Sequence, residues 1–502
     1  MMRYDVVIIG SGLGGLACGA ILAKEGYQVC VLEKNKQIGG TLQTFVRDRI
    51  IFDSGVHYVG GLDKGQNLYQ LFKFLGIMDK MKLRKMDEDV FDAVLFADDP
   101  KVYRYAQGYP NFISTLVKDF PEEEAAIRKY CDAIKDVCSK FPLYNLRSGD
   151  YFEKVGVLEI DTQTFLESIT SNKKLQNVLA GTSLLYAGVP YKTPFYVHAL
   201  VINSYIESSW RFVDGGSQIA RALSKEITSR GGKILKNTKV VKLKEEGGEL
   251  TYALTENGDR FEAKLFISNV HPHNTLEMTE SDMIKKAFRN RLRGLENSIS
   301  TFYVNIVLKK NSFRYINHNY YYFAENDAWC VLNYTQENWP LGYALFFTAS
   351  SRNDEYAEGV TLMTYMRYGD VKQWEHTFNT VSNEVSRGED YEAFKKEKTE
   401  RLFDLVEKRF PGFRQAVETY YVATPLSVRD YIGTDDGALY GVVKDYREPM
   451  RTFISPRTKI PNLFLTGQNL NLHGVLGVTV SAVLTCSEIL GTDYMIEKIR
   501  HA

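Results

Sequence analysis

Three glycines spaced Gly10-x-Gly12-x-x-Gly15 follow the apolar residues 6–9 without a gap. That spacing suits a dinucleotide diphosphate. The first glycine makes a sharp turn, the second lets backbone approach the pyrophosphate, and the third allows helix and strand to pack closely. Leu13 and Gly14 sit inside the same turn, where a helix N-terminus offers N–H groups to phosphate oxygens. Glu33 comes 23 residues after Gly10, followed by Lys34. A carboxylate at that distance accepts hydrogen bonds from a ribose diol and disfavours a 2′-phosphate. Gly39, Gly40 and Thr41 supply a second close backbone approach, on the diphosphate and ribose side. Gly55 and Val56 precede His57 in residues 52–58, FDSGVHY, and Gly55 there suggests backbone packed against something flat. The chain has one full fingerprint and no CxxC. A flavin–disulfide reductase would need a second fingerprint and a redox cysteine pair, so the pattern favours FAD over NAD.

These residues need strand, turn, helix and second strand in that order, and residues 6–33 read as one such βαβ unit. The end of the chain repeats the logic: Thr466-Gly467-Gln468 closes a strand, and Gly474, Val475, Gly477 and Val478 open a helix. That helix N-terminus would face the electron-rich edge of a flavin. Between the two ends, residues 111–140 read as helical with a fresh start at Pro121, and 217–230 and 391–409 also read as helices. Residues 233–246 (KILKNTKVVKLKEE) read as one alternating strand. Residues 251–270 read as a hairpin turning at Asn257-Gly258, and 300–368 as aromatic strands. The fold class is therefore α/β (α+β overall). A Rossmann-like nucleotide domain, built from discontinuous segments, is interleaved with a mixed-sheet, aromatic-rich domain.

Composition narrows the classes. Lys+Arg and Asp+Glu both number 62, so no global field gathers nucleic acid. Six cysteines in 502 residues make no secreted disulfide framework. His271-Pro-His273 reads as a surface loop without carboxylate or thiolate partners at ligand spacing, so no metal site is expected. The 32 Tyr and 28 Phe, against four Trp, fit either a large core or a large apolar cavity. The glycine-broken apolar run 6–22 explains itself as the nucleotide loop, leaving no stretch long enough to span a membrane. The expected location is cytoplasmic, at most peripheral to a membrane face.

Beyond single motifs, residues 6–45 and 52–61 resemble the N-terminus of the phytoene desaturase-like flavoproteins, nearest to retinol saturases and then carotenoid isomerases. Further islands match in order: YAGVPYKTPFYVHALVINSYI (186–206), RFVDGGSQIA (211–220), NYYYF (319–323), PLSVRDYIGTDDGALYG (425–441) and PNLFLTGQNLNLHGVLGVTVSA (461–482). The resemblance implies FAD held by segments 1–75, 205–275 and 455–502, with Val240 contributing from the second. Segments 76–204 and 276–454 would then build the substrate domain. Many relatives place an acid where this chain has Gln468, whose amide still accepts a ribityl hydroxyl. The implied substrate is an apolar conjugated polyene, a retinoid or carotenoid, saturated, desaturated or isomerised at one double bond. The sequence carries no signal for the electron donor or acceptor, or for the oligomeric state. Two other readings stay open: an amine- or porphyrinogen-oxidase-like flavoenzyme, and a non-catalytic flavin-bearing binder of apolar pigment.

Hydride addition to carbon must be completed by a proton, so acid/base candidates matter. His57, His198, His473 and Tyr440 are the four that fall in the matching islands, each set against a plain core role. Finally, Leu68, Leu71, Phe72, Leu75 and Met78 recur at helical spacing beside Lys73, Lys80, Lys82, Arg84 and Lys85. Such a stripe suits either a helix lying on a membrane surface or, preferred here, a core-facing helix with a solvated basic end.

Overall fold

The structure is a computed structural model that describes residues 2–502, apart from the side chains of residues 2 and 151. Its first sheet grows from β1 (Met2–Ile9), whose residues 6–9 are buried because both faces are covered. Helix α1 (Leu13–Lys24) follows, and β2 (Val29–Leu32) returns parallel to β1, with Ile8 opposite Val31. Strand Arg260–Ser268 flanks β1 on the other side in parallel, and Leu463–Leu465 adds beside it, also in parallel. Segments from the start, middle and end of the chain therefore share one eight-stranded sheet. Helices Ser217–Thr228 and Gly474–Leu490 both pack on α1. Cys18 of α1 donates its thiol to Thr466 Oγ1 across that seam.

The second sheet has seven strands and lies in the core cluster that holds most of the buried aromatic residues. Ser300–Leu308, Gly342–Phe347 and Gly359–Met366 are buried along their whole length, so they show no polar alternation. Asn319–Phe323 pairs antiparallel with Gly342–Phe347 and parallel with Asp92–Phe96, placing Asn319 opposite Asp92. Helices Glu124–Ser139 and Phe195–Glu207 pack together over this core. The mixed α/β class expected from sequence is the one observed.

Three local readings need correction or sharpening. Residues 233–246 form two strands: Lys233–Leu235 pairs parallel with β2, while Val240–Glu246 pairs antiparallel with Glu249–Thr255. The chain turns between them at Asn237 (φ 53), held by Asn237 N to Asn35 O and Thr238 N to Glu33 O. The His271-Pro-His273 stretch is no surface loop. Pro272–Glu277 is helical, and His271 caps it, accepting from His273 N while its Nε2 meets Asn297 Oδ1 at 3.0 Å. The apolar stripe belongs to the core: Leu68, Leu71, Phe72 and Leu75 are all 0% exposed, and helix Asn67–Phe74 packs on helix Thr492–Arg500. Three of its five basic neighbours are paired, Lys73 with Asp79, Lys80 with Glu226 and Lys85 with Asp63. No helix among the described residues is long and apolar enough to cross a membrane.

Candidate active site

The glycine fingerprint folds into a tight cradle. Gly10 (φ 92) turns the chain, and its N–H donates to Leu32 O at 2.8 Å. Gly12 is the N-cap of α1 and makes no side-chain cap bond, so the first-turn N–H groups face outward for an anion. A Cβ at Gly15 would lie 2.1 Å from Gly10 O, which is why that position must be bare. Gly14 and Gly467 (φ 103) close in from opposite sides, each too near the Asn269 amide to carry a Cβ. Gly39 (φ 114) bridges to Gly12, and Gly40 (φ 57) leaves only 3.2 Å between a would-be Cβ and Gly12 Cα.

Glu33 is 5% exposed at the end of β2. It accepts from Ser11 N at 3.0 Å, Ser11 Oγ at 2.5 Å and Asn35 N at 2.8 Å. Lys34 turns away, with its Nζ donating to Asp430 O at 3.1 Å. Val240 is buried at the start of its strand, among the core residues below the sheet.

From this cradle a cavity of about 460 Å³ opens toward the second sheet. Leu13, Thr41, Gly55, Val56, Gln468, Gly474, Val475, Gly477 and Val478 lie on its nucleotide side. Helix Gly474–Leu490 points its uncapped N-terminus into it, and nothing lies within 4 Å of where a Cβ of Gly474 would stand. Tyr303, Tyr321, Ala344, Phe346 and Met363 form the opposite, aromatic wall.

Several polar groups around this cavity bear on its chemistry. His57 stacks on Phe346 at 4.4 Å and 5°, and its buried Nε2 has no partner. Burial and the nearby Arg211 guanidinium push its pKa down to about 3, so it stays uncharged. His473 meets Leu185 O through Nε2 at 3.0 Å, which fixes the proton on that nitrogen; burial lowers its pKa to about 4. Tyr440 donates to Leu184 O at 2.8 Å. Lys444, missed from sequence, gives its ammonium to the carbonyls of Thr452, Asn469 and Leu470, and burial lowers its pKa to about 7. His198 stands apart from the cavity wall. It is 0% exposed and held between Tyr130 (2.6 Å to Nε2) and Tyr186 (2.9 Å to Nδ1), a satisfied core histidine. Of the four acid/base candidates, the fold gathers His57, Tyr440 and His473 and leaves His198 out.

The family model for flavin containing amine oxidoreductases matches residues 13–490. The chain belongs to that family. Among its sequence relatives, the chain is 28% identical to human all-trans-retinol 13,14-reductase, over 97% of this chain and 86% of that protein. It is 24% identical to prolycopene isomerase 1 of an Oncidium hybrid cultivar, over 99% of this chain and 85% of that protein. Among solved structures, wild-type putrescine oxidase shares the fold with a TM-score of 0.66 at 12% identity, over 98% of this chain and 99% of that one.

The cofactor of this amine oxidoreductase-family chain is FAD. The residues present fit it: bare glycines at a turn where a Cβ has no room, an uncapped α1 N-terminus, and a second uncapped helix end facing a roomy cavity. Bound there, FAD would set its diphosphate at the Gly12–Gly15 backbone N–H groups, a ribose at Glu33, and its flavin ring along the Gly55–His57 and Gly474–Val478 walls. Glu33→Ala is expected to weaken FAD binding about 10–150-fold. Each charge-assisted bond contributes about 1.5–3 kcal/mol, and Ser11 would also lose its anchor. Flavin fluorescence titration measures this, and an unchanged affinity would mean that the carboxylate serves only the loop.

Proposed function

We propose that this flavoprotein acts on a double bond of a conjugated polyene, a retinoid or carotenoid, by saturation, desaturation or isomerisation. The observation that carries the reading is the cavity of about 460 Å³ shared by the nucleotide cradle and the aromatic sheet. A flat, apolar, extended substrate fits along the aromatic wall of Tyr303, Tyr321 and Phe346, across the cavity from the Gly474–Val478 helix end. The sequence relatives named for retinol and prolycopene chemistry support the same substrate class. An ammonium substrate, as in an amine oxidase, would call for a free carboxylate. Among the described residues the one acid on the cavity wall is Asp150, which already caps the turn Tyr151–Lys154.

FAD, when bound, supplies hydride exchange with carbon. The chain's part is to hold the polyene flat, exclude water, and keep the neighbouring imidazoles neutral, as burial does for His57 and His473. The test is anaerobic incubation of FAD-loaded protein with a panel of retinoids and carotenoids, followed by product chromatography with and without prior flavin reduction. Product formed only after reduction identifies a saturase, and turnover without net electron consumption identifies an isomerase. A flavin-loaded protein that converts no member of the panel would overturn the reading in favour of a pigment binder.

A further inference from the structure

A hydride delivered to one carbon of a double bond leaves its neighbour short of a proton, and the acid/base candidates read from sequence do not supply one. The Nε2 proton of His473 and the hydroxyl proton of Tyr440 are both committed to backbone carbonyls, which cannot replace a proton given away. His57 is held neutral by burial and by Arg211.

Two other hydroxyls on the cavity wall end differently. Tyr58, just before strand Val59–Gly60, and Tyr321, in strand Asn319–Phe323, lie 2.6 Å apart, oxygen to oxygen. Tyr58 also lies 2.8 Å from Oδ2 of Asp92, a carboxyl that is 0% exposed at the head of strand Asp92–Phe96. The parallel register sets Asn319 opposite Asp92, and Asn319 Nδ2 donates to Asp92 Oδ1 at 2.8 Å. Arg211 in turn donates to Asn319 Oδ1 at 2.8 Å and to Phe347 O at 2.9 Å, so it touches the carboxyl only through the amide. Tyr105 on the adjacent strand and Tyr205 on helix Phe195–Glu207 complete the polar groups facing Asp92. Among the described residues no salt bridge holds the Asp92 carboxyl in its charged form, and a buried carboxyl without one readily keeps its proton.

We propose that Asp92, Tyr58 and Tyr321 form a proton relay that delivers one proton to the polyene carbon next to the one receiving hydride, with Tyr321 as the catalytic residue and Asp92 as the reservoir acting through Tyr58. The proposal rests on the polyene reading above. The step balances as follows. The Tyr321 O–H breaks as a C–H bond forms, Tyr58 passes its proton to Tyr321, and Asp92 passes its proton to Tyr58 and becomes a carboxylate. The hydride at the other carbon is drawn from FAD in its two-electron reduced form, supplied in the test by dithionite. The double bond becomes a CH–CH single bond, and Asp92 regains its proton from solvent when the product leaves. With Asp92 ionised, both hydroxyls point inward, Tyr321 to Tyr58 and Tyr58 to Asp92. With Asp92 protonated, the chain reverses, and the Tyr321 proton is no longer given to Tyr58 and is free for the polyene. Burial lifts Asp92 to about 7, above its ordinary 3.8, against the pull of its Asn319 and Tyr58 hydrogen bonds and Arg211. The donating form therefore disappears as pH rises through about 7.

The test compares wild type with Tyr321→Phe and Asp92→Asn, all FAD-loaded and pre-reduced, on the polyene that wild type converts. Wild-type reduction should slow as pH rises through about 7, with solvent deuterium entering the product carbon. Both variants should lose about 10²-fold or more in rate and lose that alkaline limb, while flavin content and thermal midpoint stay near wild type. A readout without turnover is the infrared carbonyl band of protonated Asp92, which should titrate near pH 7 in wild type and be missing in Asp92→Asn. If Asp92→Asn fails to load FAD, Tyr321→Phe, which keeps the ring and the Asp92 site, decides alone. Variants that keep the rate, the pH limb and the deuterium pattern overturn the relay while leaving the polyene reading standing. A wild type that loads FAD and converts no polyene overturns the polyene reading itself, and the relay with it.

Discussion

Replacing Gly12 with Glu yields a chain that folds but no longer retains flavin. Gly12 caps α1 in extended backbone (φ −63, ψ 173), so a side chain there meets no backbone strain. Space and charge are what exclude it. Its Cβ would lie 2.6 Å from Asn269 Nδ2. The carboxylate beyond would occupy the helix end that offers its N–H groups to a diphosphate. Two like charges about 4 Å apart repel by about 4 kcal/mol at an effective dielectric of 20, which is about 10³-fold in Kd. Purified wild type should show the flavin absorbance bands and the variant should be colourless, with circular dichroism unchanged. Gly12→Ala separates the two causes, because it keeps the crowding without the charge. Full flavin content in Gly12→Glu would move the diphosphate away from this turn.

The triple change Leu71→Ser, Phe72→Ser, Leu75→Ser should give no folded protein. All three side chains are 0% exposed in the core of the nucleotide domain. Truncating a buried Leu or Phe costs about 2–5 kcal/mol, and a buried hydroxyl without a partner adds about 1–3 kcal/mol. The sum matches or exceeds the whole stability of a typical domain, about 5–15 kcal/mol. Leu71→Ser alone should keep the fold and lower the thermal midpoint by several degrees. A membrane-facing stripe would behave otherwise: the triple variant would stay folded, keep its FAD and lose only liposome binding. A thermal melt with flavin content distinguishes the two.

What was legible in the sequence was local. The Gly10–Gly15 turn, Glu33 and the closing Gly467–Gly477 turn announce themselves because steric and dipole demands act over a few residues. The split of residues 233–246 was hidden because alternation persists on both sides of the turn at Asn237. His198 stood in an apolar island that matched the family, yet whether an imidazole faces a cavity or a pair of tyrosines depends on helix packing. The Asp92–Tyr58–Tyr321 set was illegible for a different reason. The FDSGVHY and NYYYF stretches stood out, but only the parallel pairing of 92–96 with 319–323 brings that carboxyl beneath them. Such a long-range register leaves no mark in either strand alone.

The seam between α1 and the closing helix has a consequence for how the protein comes into being. Cys18 and Thr466, bonded across it, are 448 residues apart in the chain. At synthesis rates of about 5–20 residues per second, the first turn leaves the ribosome roughly 20–90 s before its partner exists. Through that interval the apolar face of α1 has no final cover, and the nucleotide cradle lacks the Gly467 wall. The cradle is therefore complete only once residues 463–490 have been made, and until then the apolar surface of α1 stays uncovered.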